Sequence, residues 1–233
     1  MTSAAAPGSG RSWPTAVAVR PRRTNAPRVR PIGTDGQRKA QPSRGRRADI
    51  LDAALEVFAG FGYDAARMEH IASLANASIG SVYHHFAGKE RLAAALYVEG
   101  LLDYRRSFMR ALRESGPGGA VTVKALAANH LAWVADNPEL AAFVLSSEAG
   151  LRRSAAPEVR LARRRISEAI GSWIGQEAAR GTVRDIPPEL FYAIVIGPAQ
   201  EFARQWLTTA RESKPIEDAE EPLAEAAWRA VRA

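Results

Sequence analysis

The amino-acid sequence predicts an all-α protein in which a three-helix unit containing a helix-turn-helix precedes a larger helical part. Three observations carry that expectation. From Arg46 onward, apolar residues recur at spacings of three and four, as in helices that bury one face. No segment alternates apolar and polar residues and no Asn-Gly hairpin signal occurs, so strands are not expected. Glycine and proline clusters, among them SGPGG at Ser115–Gly119, cut the pattern into pieces of helical length.

The first helix is expected over Arg46–Ala59, with Ile50, Leu51, Ala54, Leu55 and Phe58 on one stripe and Asp49, Asp52 and Glu56 facing out. Gly60 and Gly62 should end it. Met68, Ile71, Ala72 and Ala75 mark the buried side of the second helix, and Asn76 breaks it because Asn tolerates a left-handed backbone. Ser78 can cap the third helix, Ser78–His85, which Val82 and Phe86 anchor from beneath. Gly88 precedes a fourth helix, Lys89–Glu114, whose Leu92, Leu96, Leu101, Leu102, Phe108 and Leu112 suggest a connecting strut. Beyond it come Val121–Asp136, Glu139–Ser147 and Pro157–Arg180, then a long apolar helix from Pro187 and Pro188 to about Arg211. Asp218 with Glu221 has the form of a capping box opening the last helix, which makes nine.

The contents of the third helix are unusual for a core element. Ser78, Gly80, Ser81, Tyr83 and His84 offer hydroxyls, ring edges and a backbone site without a side chain. A helix laid into a DNA major groove needs such residues, small ones for close approach and hydroxyls for bases or phosphates. Ile79 has two readings. Its spacing to Val82 and Phe86 says core; the family resemblance given below implies a position toward the groove, where it could meet a thymine methyl.

The helix ending in FAGFGYD, then IASLANAS, GSVYHHF and GKERL, resembles the tetracycline-repressor (TetR) family of bacterial regulators from Arg44 to about Tyr97. The chain departs from the family's usual pattern in Ala66 and Arg67 before the second helix, in Asn76 at the turn, and in Ile79 after the capping Ser. The resemblance implies a domain of DNA-binding type over 44–90 and a helical effector-binding and dimerisation domain over 91–233, behind a basic tail at 1–43. It also implies that Tyr83 and Lys89 touch the phosphate backbone and that Ser78, Ile79, Gly80, Ser81 and His84 face the same way, with Arg67 a further phosphate candidate. The expected partners are a near-palindromic double-stranded operator, a second copy of the chain and a small-molecule effector.

Composition excludes other classes. The absence of cysteine excludes disulfides and thiolate metal sites, and fits a reducing cytoplasm. No apolar run nears the roughly 20 residues that span a bilayer, and none follows Arg22 and Arg23 as a signal peptide would need. A soluble, cytoplasmic protein is expected. The net charge of +7 lies entirely in the tail: residues 1–43 hold eight Lys or Arg and one Asp, and residues 44–233 hold 24 of each sign. Rich in Pro, Ser, Gly and Arg, that tail is expected to be disordered, and is either an inert extension or an electrostatic arm for DNA.

Metal and catalytic readings fail on spacing. His84 and His85 are neighbours that diverge by about 100° on a helix, His70 stands on another helix, and no His lies four residues from a second ligand. His85 reads as a packed structural residue. With no glycine-rich phosphate loop behind a strand and no Gly-x-Ser-x-Gly elbow, neither an enzyme nor a cofactor is expected. Tyr104, Phe108, His130, Trp133, Phe143 and Trp173 are either ordinary core or the walls of an apolar effector cavity. The run Arg163–Arg165 reads as a solvated face. The sequence therefore points to a ligand-released repressor, the rivals being an effector-independent DNA-binding protein and a helical small-molecule-binding protein.

Overall fold

The computed structural model describes residues 45–146, 156–210 and 215–233. The basic tail, Ser147 and Arg211 fall outside the described residues. Nine α-helices occur among those described: α1 Arg46–Ala65, α2 Met68–Leu74, α3 Ile79–His85, α4 Lys89–Glu114, α5 Gly119–Asp136, α6 Pro138–Ser146, α7 Ala156–Ala179, α8 Pro188–Gln205 and α9 Glu220–Val231. A π-helical turn, Trp206–Ala210, continues α8, and a 3₁₀ turn, Ile216–Ala219, leads into α9. Among the described residues there is no strand, only one isolated antiparallel bridge between Val183 and Arg232.

Two element ends differ from the sequence expectation. Helix α1 runs past Gly60 to Ala65 through a kink at Gly62, whose φ of 78° and ψ of 161° lie where a side chain would be strained. The capping box at Asp218 does not form. The 3₁₀ turn takes up Asp218, α9 begins after Ala219, and no side chain caps it.

The apolar side chains form two clusters. The first gathers α1, α2, α3 and the start of α4, from Ile50 through Ile71, Val82 and Phe86 to Leu92 and Leu96. The second spans Tyr104 to Val231 and is closed by α4, α5, α7, α8 and α9. Helix α4 passes through both, as a strut would. Leu140 of α6 packs against both clusters, and Gly100 of α4 makes the approach possible. A Cβ there would lie 2.6 Å from Val144 Cγ2 and 3.0 Å from Leu140 Cδ1, so a side chain would push α6 off α4.

At the far end of the second cluster the chain closes on itself. Arg184 N donates to Val231 O (2.9 Å) and Ala233 N to Thr182 O (3.2 Å). Beside this closure the Glu177 carboxylate, 3% exposed, accepts from Thr182 Oγ1 (2.7 Å) and from Arg180. Those hydrogen bonds, first the one from Thr182, hold its carboxyl below the usual range.

Candidate functional site

Helix α3 is short and is held by few groups. Ser78 caps it, its Oγ accepting from Ser81 N at 3.1 Å, and Asn76 makes the turn before it with φ of 47°. Val82 is its one buried residue, and Phe86, just past its end, is buried too. The remaining residues are presented to solvent. Ile79 is 41% exposed and Tyr83 49%, with Ser78, Gly80, His84 and His85 also exposed and Ser81 half-buried. Ile79 therefore lies outside the core that its spacing suggested. His85 is also a correction, because it is exposed, and among the described residues its ring meets those of His84 and Phe86 at 5.5 and 6.4 Å.

The cations of this region are arranged unlike a uniform basic patch. Residues 45–97 hold five (Arg46, Arg47, Arg67, Lys89, Arg91) against six acids (Asp49, Asp52, Glu56, Asp64, Glu69, Glu90). Three of the five are engaged within the protein. Lys89 Nζ donates to the carbonyls of Tyr63 (2.8 Å), Asp64 (3.0 Å) and Ala66 (3.2 Å), and lies 4.7 Å from the centre of the Tyr63 ring. An ammonium has three N–H donors, and all three are directed at the open end of α1. Arg46 Nη1 reaches the carbonyls of Ala75 and Asn76, both at 3.3 Å, and so holds the turn before α3. Arg47 pairs with Glu99 of α4 at 3.0 Å and lies over the Phe86 ring at 5.4 Å. Arg67 and Arg91 are exposed. Sequence reasoning missed the parts played by Arg46 and Arg47, since nothing local marks a cation as the cap of a distant helix.

In the second cluster the structure gathers four of the six residues considered for an effector cavity. The Tyr104 ring meets those of His130 (5.3 Å), Trp133 (5.1 Å) and Phe108 (6.3 Å), in edge or tilted contacts. Phe108 in turn meets Tyr192 of α8 at 5.8 Å. These rings fill the space between α4, α5 and α8 themselves, Phe108 being 0% and His130 3% exposed. Of the other two, Trp173 packs against the same cluster and Phe143 against the first. Phe143 stacks on Phe58 of α1 with centroids 5.6 Å apart and planes 7° from parallel, so it joins α6 to the first cluster. Trp173 packs on Phe191 at 5.4 Å, between α7 and α8.

Polar groups run through the aromatic cluster. His130 Nδ1 and Tyr104 Oη are 3.0 Å apart, the Tyr192 hydroxyl is 3.5 Å from that of Tyr104, and Trp133 Nε1 donates to Asp103 Oδ2 at 2.8 Å. Ser107 Oγ donates to Asn129 Oδ1 at 2.6 Å. Burial lowers the His130 pKa to about 4 and raises the Tyr104 hydroxyl well above the usual phenol range, so both are neutral at pH 7. Asp103, Ser107, Asn129 and Tyr192 were not foreseen, although Asp103 and Ser107 flank Tyr104 at helical spacing. Among the described residues no group of three or more His, Cys, Asp or Glu could hold a metal ion, and no helix is long and apolar enough to cross a membrane.

A buried anchor beneath an exposed polar and aromatic helix, entered through a capped turn, defines a helix-turn-helix protein. Residues 50–96 match the family described as "Bacterial regulatory proteins, tetR family". Over those residues the chain is similar to the N-terminal domain of that family. It is 39% identical over 74 residues to the HTH-type transcriptional regulator UidR of Escherichia coli, a stretch covering 32% of this chain and 35% of that one. It is 37% identical over 82 residues to the HTH-type transcriptional repressor KstR2 of Rhodococcus jostii, covering 35% and 40%. The matched stretches thus span well under half the length of these two relatives. In fold, the structure is similar over 81% of its chain to the fatty acid degradation regulator FadR from Bacillus halodurans, with TM-score 0.67, 19% identity and 97% of that chain covered. FadR from Bacillus subtilis, solved in complex with stearoyl-CoA, gives TM-score 0.65 at 18% identity over 77% of this chain and 96% of its own.

Proposed function

We propose that this protein is a homodimeric, sequence-specific DNA-binding transcriptional regulator of the cytoplasm, a repressor released by a small, largely apolar or aromatic ligand. The observation that carries it is helix α3: a family-matched element that buries Val82 and turns Ile79, Gly80, Tyr83 and His84 to solvent. Residues 44–90 would serve as the DNA-binding domain and 91–233 as the effector and dimerisation domain, although the first apolar cluster runs on to Leu96 and takes in Phe143.

In this reading α3 enters the major groove, with Ile79 and Ser81 toward bases and Tyr83 toward phosphate. Ser78 acts mainly as the cap. Arg67 and Arg91, exposed at the starts of α2 and α4, are better placed to reach phosphate than Lys89, whose donors hold the end of α1. Lys89 then acts on DNA through the placing of α1 against α4. Dimerisation would use the outer faces of α7 and α8, where Leu161 is 53% and Leu190 49% exposed. Phe191 and Val195 lie in the protomer's own core and do not add to that face. Two copies would set their α3 helices about 34–36 Å apart on a near-palindrome. An apolar ligand would displace rings around Phe108 and Trp133 and shift α4, provided it fits the released form better. Stearoyl-CoA, seen with the Bacillus subtilis FadR, is one ligand with a large apolar part.

Selection of bound fragments from random DNA tests the reading. It should return a near-palindromic site, bound by a dimer with an affinity that falls steeply with salt. Recovery of no preferred sequence, or a monomeric mass by light scattering at micromolar concentration, would refute it.

A further inference from the structure

The helices around α3 are short of cations for a surface that meets DNA. Residues 45–97 hold six acids against Arg46, Arg47, Arg67, Lys89 and Arg91, and three of those five are engaged within the protein. Arg67 and Arg91, both exposed, are what remains for phosphate. The presented residues of α3, Ile79, Gly80, Ser81, Tyr83 and His84, include no Lys or Arg. Much of a protein's affinity for a duplex comes from cations that displace condensed counterions, so two per protomer on a net-negative domain give only a shallow salt dependence.

The missing charge stands immediately before α1. Residues 1–43 carry eight Lys or Arg against Asp35 alone, and Arg44 follows them. The way the chain enters the domain decides where that charge is delivered. Arg46, the first residue of α1, donates from Nη1 to the carbonyls of Ala75 and Asn76, in the turn that leads into α3. The basic segment therefore joins the domain beside the helix that presents Ile79 and Tyr83. A chain spans at most about 3.4 Å per residue, so Lys39 stays within about 20 Å of Gly45. The major groove is about 12 Å wide, which puts phosphates on both of its edges inside that reach. We propose that residues 11–44 form a phosphate-binding arm that supplies most of the electrostatic affinity for DNA, while α3 supplies the choice of site. This rests on the DNA-binding reading given above. The arm acts through charge alone, displacing counterions whatever the base, so operator and random duplex gain equally. An anionic lipid surface also attracts polybasic segments. Entry at the turn before α3 favours DNA, because arm and helix then meet one duplex.

The test uses the full-length chain with the eight Lys and Arg of residues 1–43 replaced by Gln, titrated by fluorescence anisotropy on the selected site and on a random duplex across a salt series. Neutralising the arm should lower the slope of log K against log salt by at least about 2 units, a loss of about a hundredfold at about 0.1 M salt. Both duplexes should lose alike, their ratio staying within about threefold. Arg67→Gln combined with Arg91→Gln should cost less slope than the arm does. Urea midpoints should match the wild type, because the first apolar cluster begins at Ile50. A second variant, with the residues of 1–43 in shuffled order, keeps the charge and should bind as the wild type does. An unchanged slope, a loss confined to the selected site, a shuffled arm that binds DNA poorly, or a larger cost from the Arg67 and Arg91 pair overturns the proposal. So does a neutral arm that loses phosphatidylglycerol vesicles and keeps DNA, which would assign the segment to a lipid surface. Recovery of no preferred sequence would sink the regulatory reading, yet the random duplex would still score the arm. An inert arm on a recovered operator would sink this proposal and leave that reading standing.

Discussion

The two apolar clusters treat their polar groups in opposite ways. Around α1–α3 the cations reach backbone carbonyls at helix ends and turns, Lys89 on the end of α1 and Arg46 on the turn before α3. Between α4 and α5, by contrast, His130 and Asn129 each keep a buried nitrogen unpaired inside a ring of aromatic side chains. The first arrangement fixes a frame and leaves Ile79, Tyr83 and His84 of α3 exposed. The second encloses its polar groups among aromatic rings. Helix α6 joins the two, through Phe143 on Phe58 and through Leu140 and Val144 against Gly100.

The comparison breaks most forcefully at Phe108, which is fully buried between Tyr104 and Tyr192. Phe108→Ala should cost about 3–5 kcal/mol in urea unfolding, since the rings around it cannot collapse onto the space. If the rings are instead free to close over it, the loss will be well below that, and the second cluster will be shown to be plastic already.

Next in size is the pH dependence of His130. Its ring is neutral when folded, with a pKa near 4 against an ordinary 6.5, because burial penalises the charged form. Below pH 6.5 the unfolded chain takes up a proton that the folded one refuses, so stability falls as pH drops from 6.5 to about 4 and levels off beneath that. At 1.36 kcal/mol per pKa unit the loss is roughly 3 kcal/mol. Urea midpoints across that range should slope for the wild type and be much flatter for His130→Gln. Parallel curves would mean that water reaches the ring.

Much of the fold could be read from the sequence, because helical periodicity reports which face of each element is buried. It identified Ile50, Ile71, Val82 and Phe108 as inward, and Asn76 and Ser78 as the turn and cap. Periodicity does not report what a buried face meets. Phe143 shares an aromatic, helical pattern with Tyr104 and Trp133 but faces Phe58 of the first cluster. Long-range partners of cations are equally silent. Nothing near Lys89 in the chain shows that the kink at Gly62 brings three carbonyls to its ammonium.

The engagement of Lys89 with α1 decides what its removal should do. If Lys89 contacted phosphate, Lys89→Ala would lower the salt slope of operator binding by roughly one unit. With its three donors on α1 carbonyls, the variant should keep the slope and instead lose about 1.5–3 kcal/mol of stability, the range for hydrogen bonds to a charged group. Operator affinity should fall only as far as the frame loosens. Urea unfolding and a salt titration on the same preparation separate the two roles.

The smallest effect on the fold should come from Ile79, where the contrast between frame and presented surface is sharpest. Its side chain is 41% exposed at the start of α3, next to the capping Ser78, and Val82 rather than Ile79 anchors the helix. Ile79→Ala should therefore change stability by no more than about 0.5 kcal/mol. Its effect on binding should be selective. An apolar side chain in a major groove reads the thymine methyl, so the variant should lose up to about 1 kcal/mol at one base position of each half-site and nothing at the others. Ser81→Ala, on the adjoining half-buried position, should shift preference at a different base. Competition between operator variants with single base changes checks both. If Ile79→Ala weakens every site equally, the residue supports the frame after all; if it leaves every site unchanged, α3 docks with another edge toward the bases.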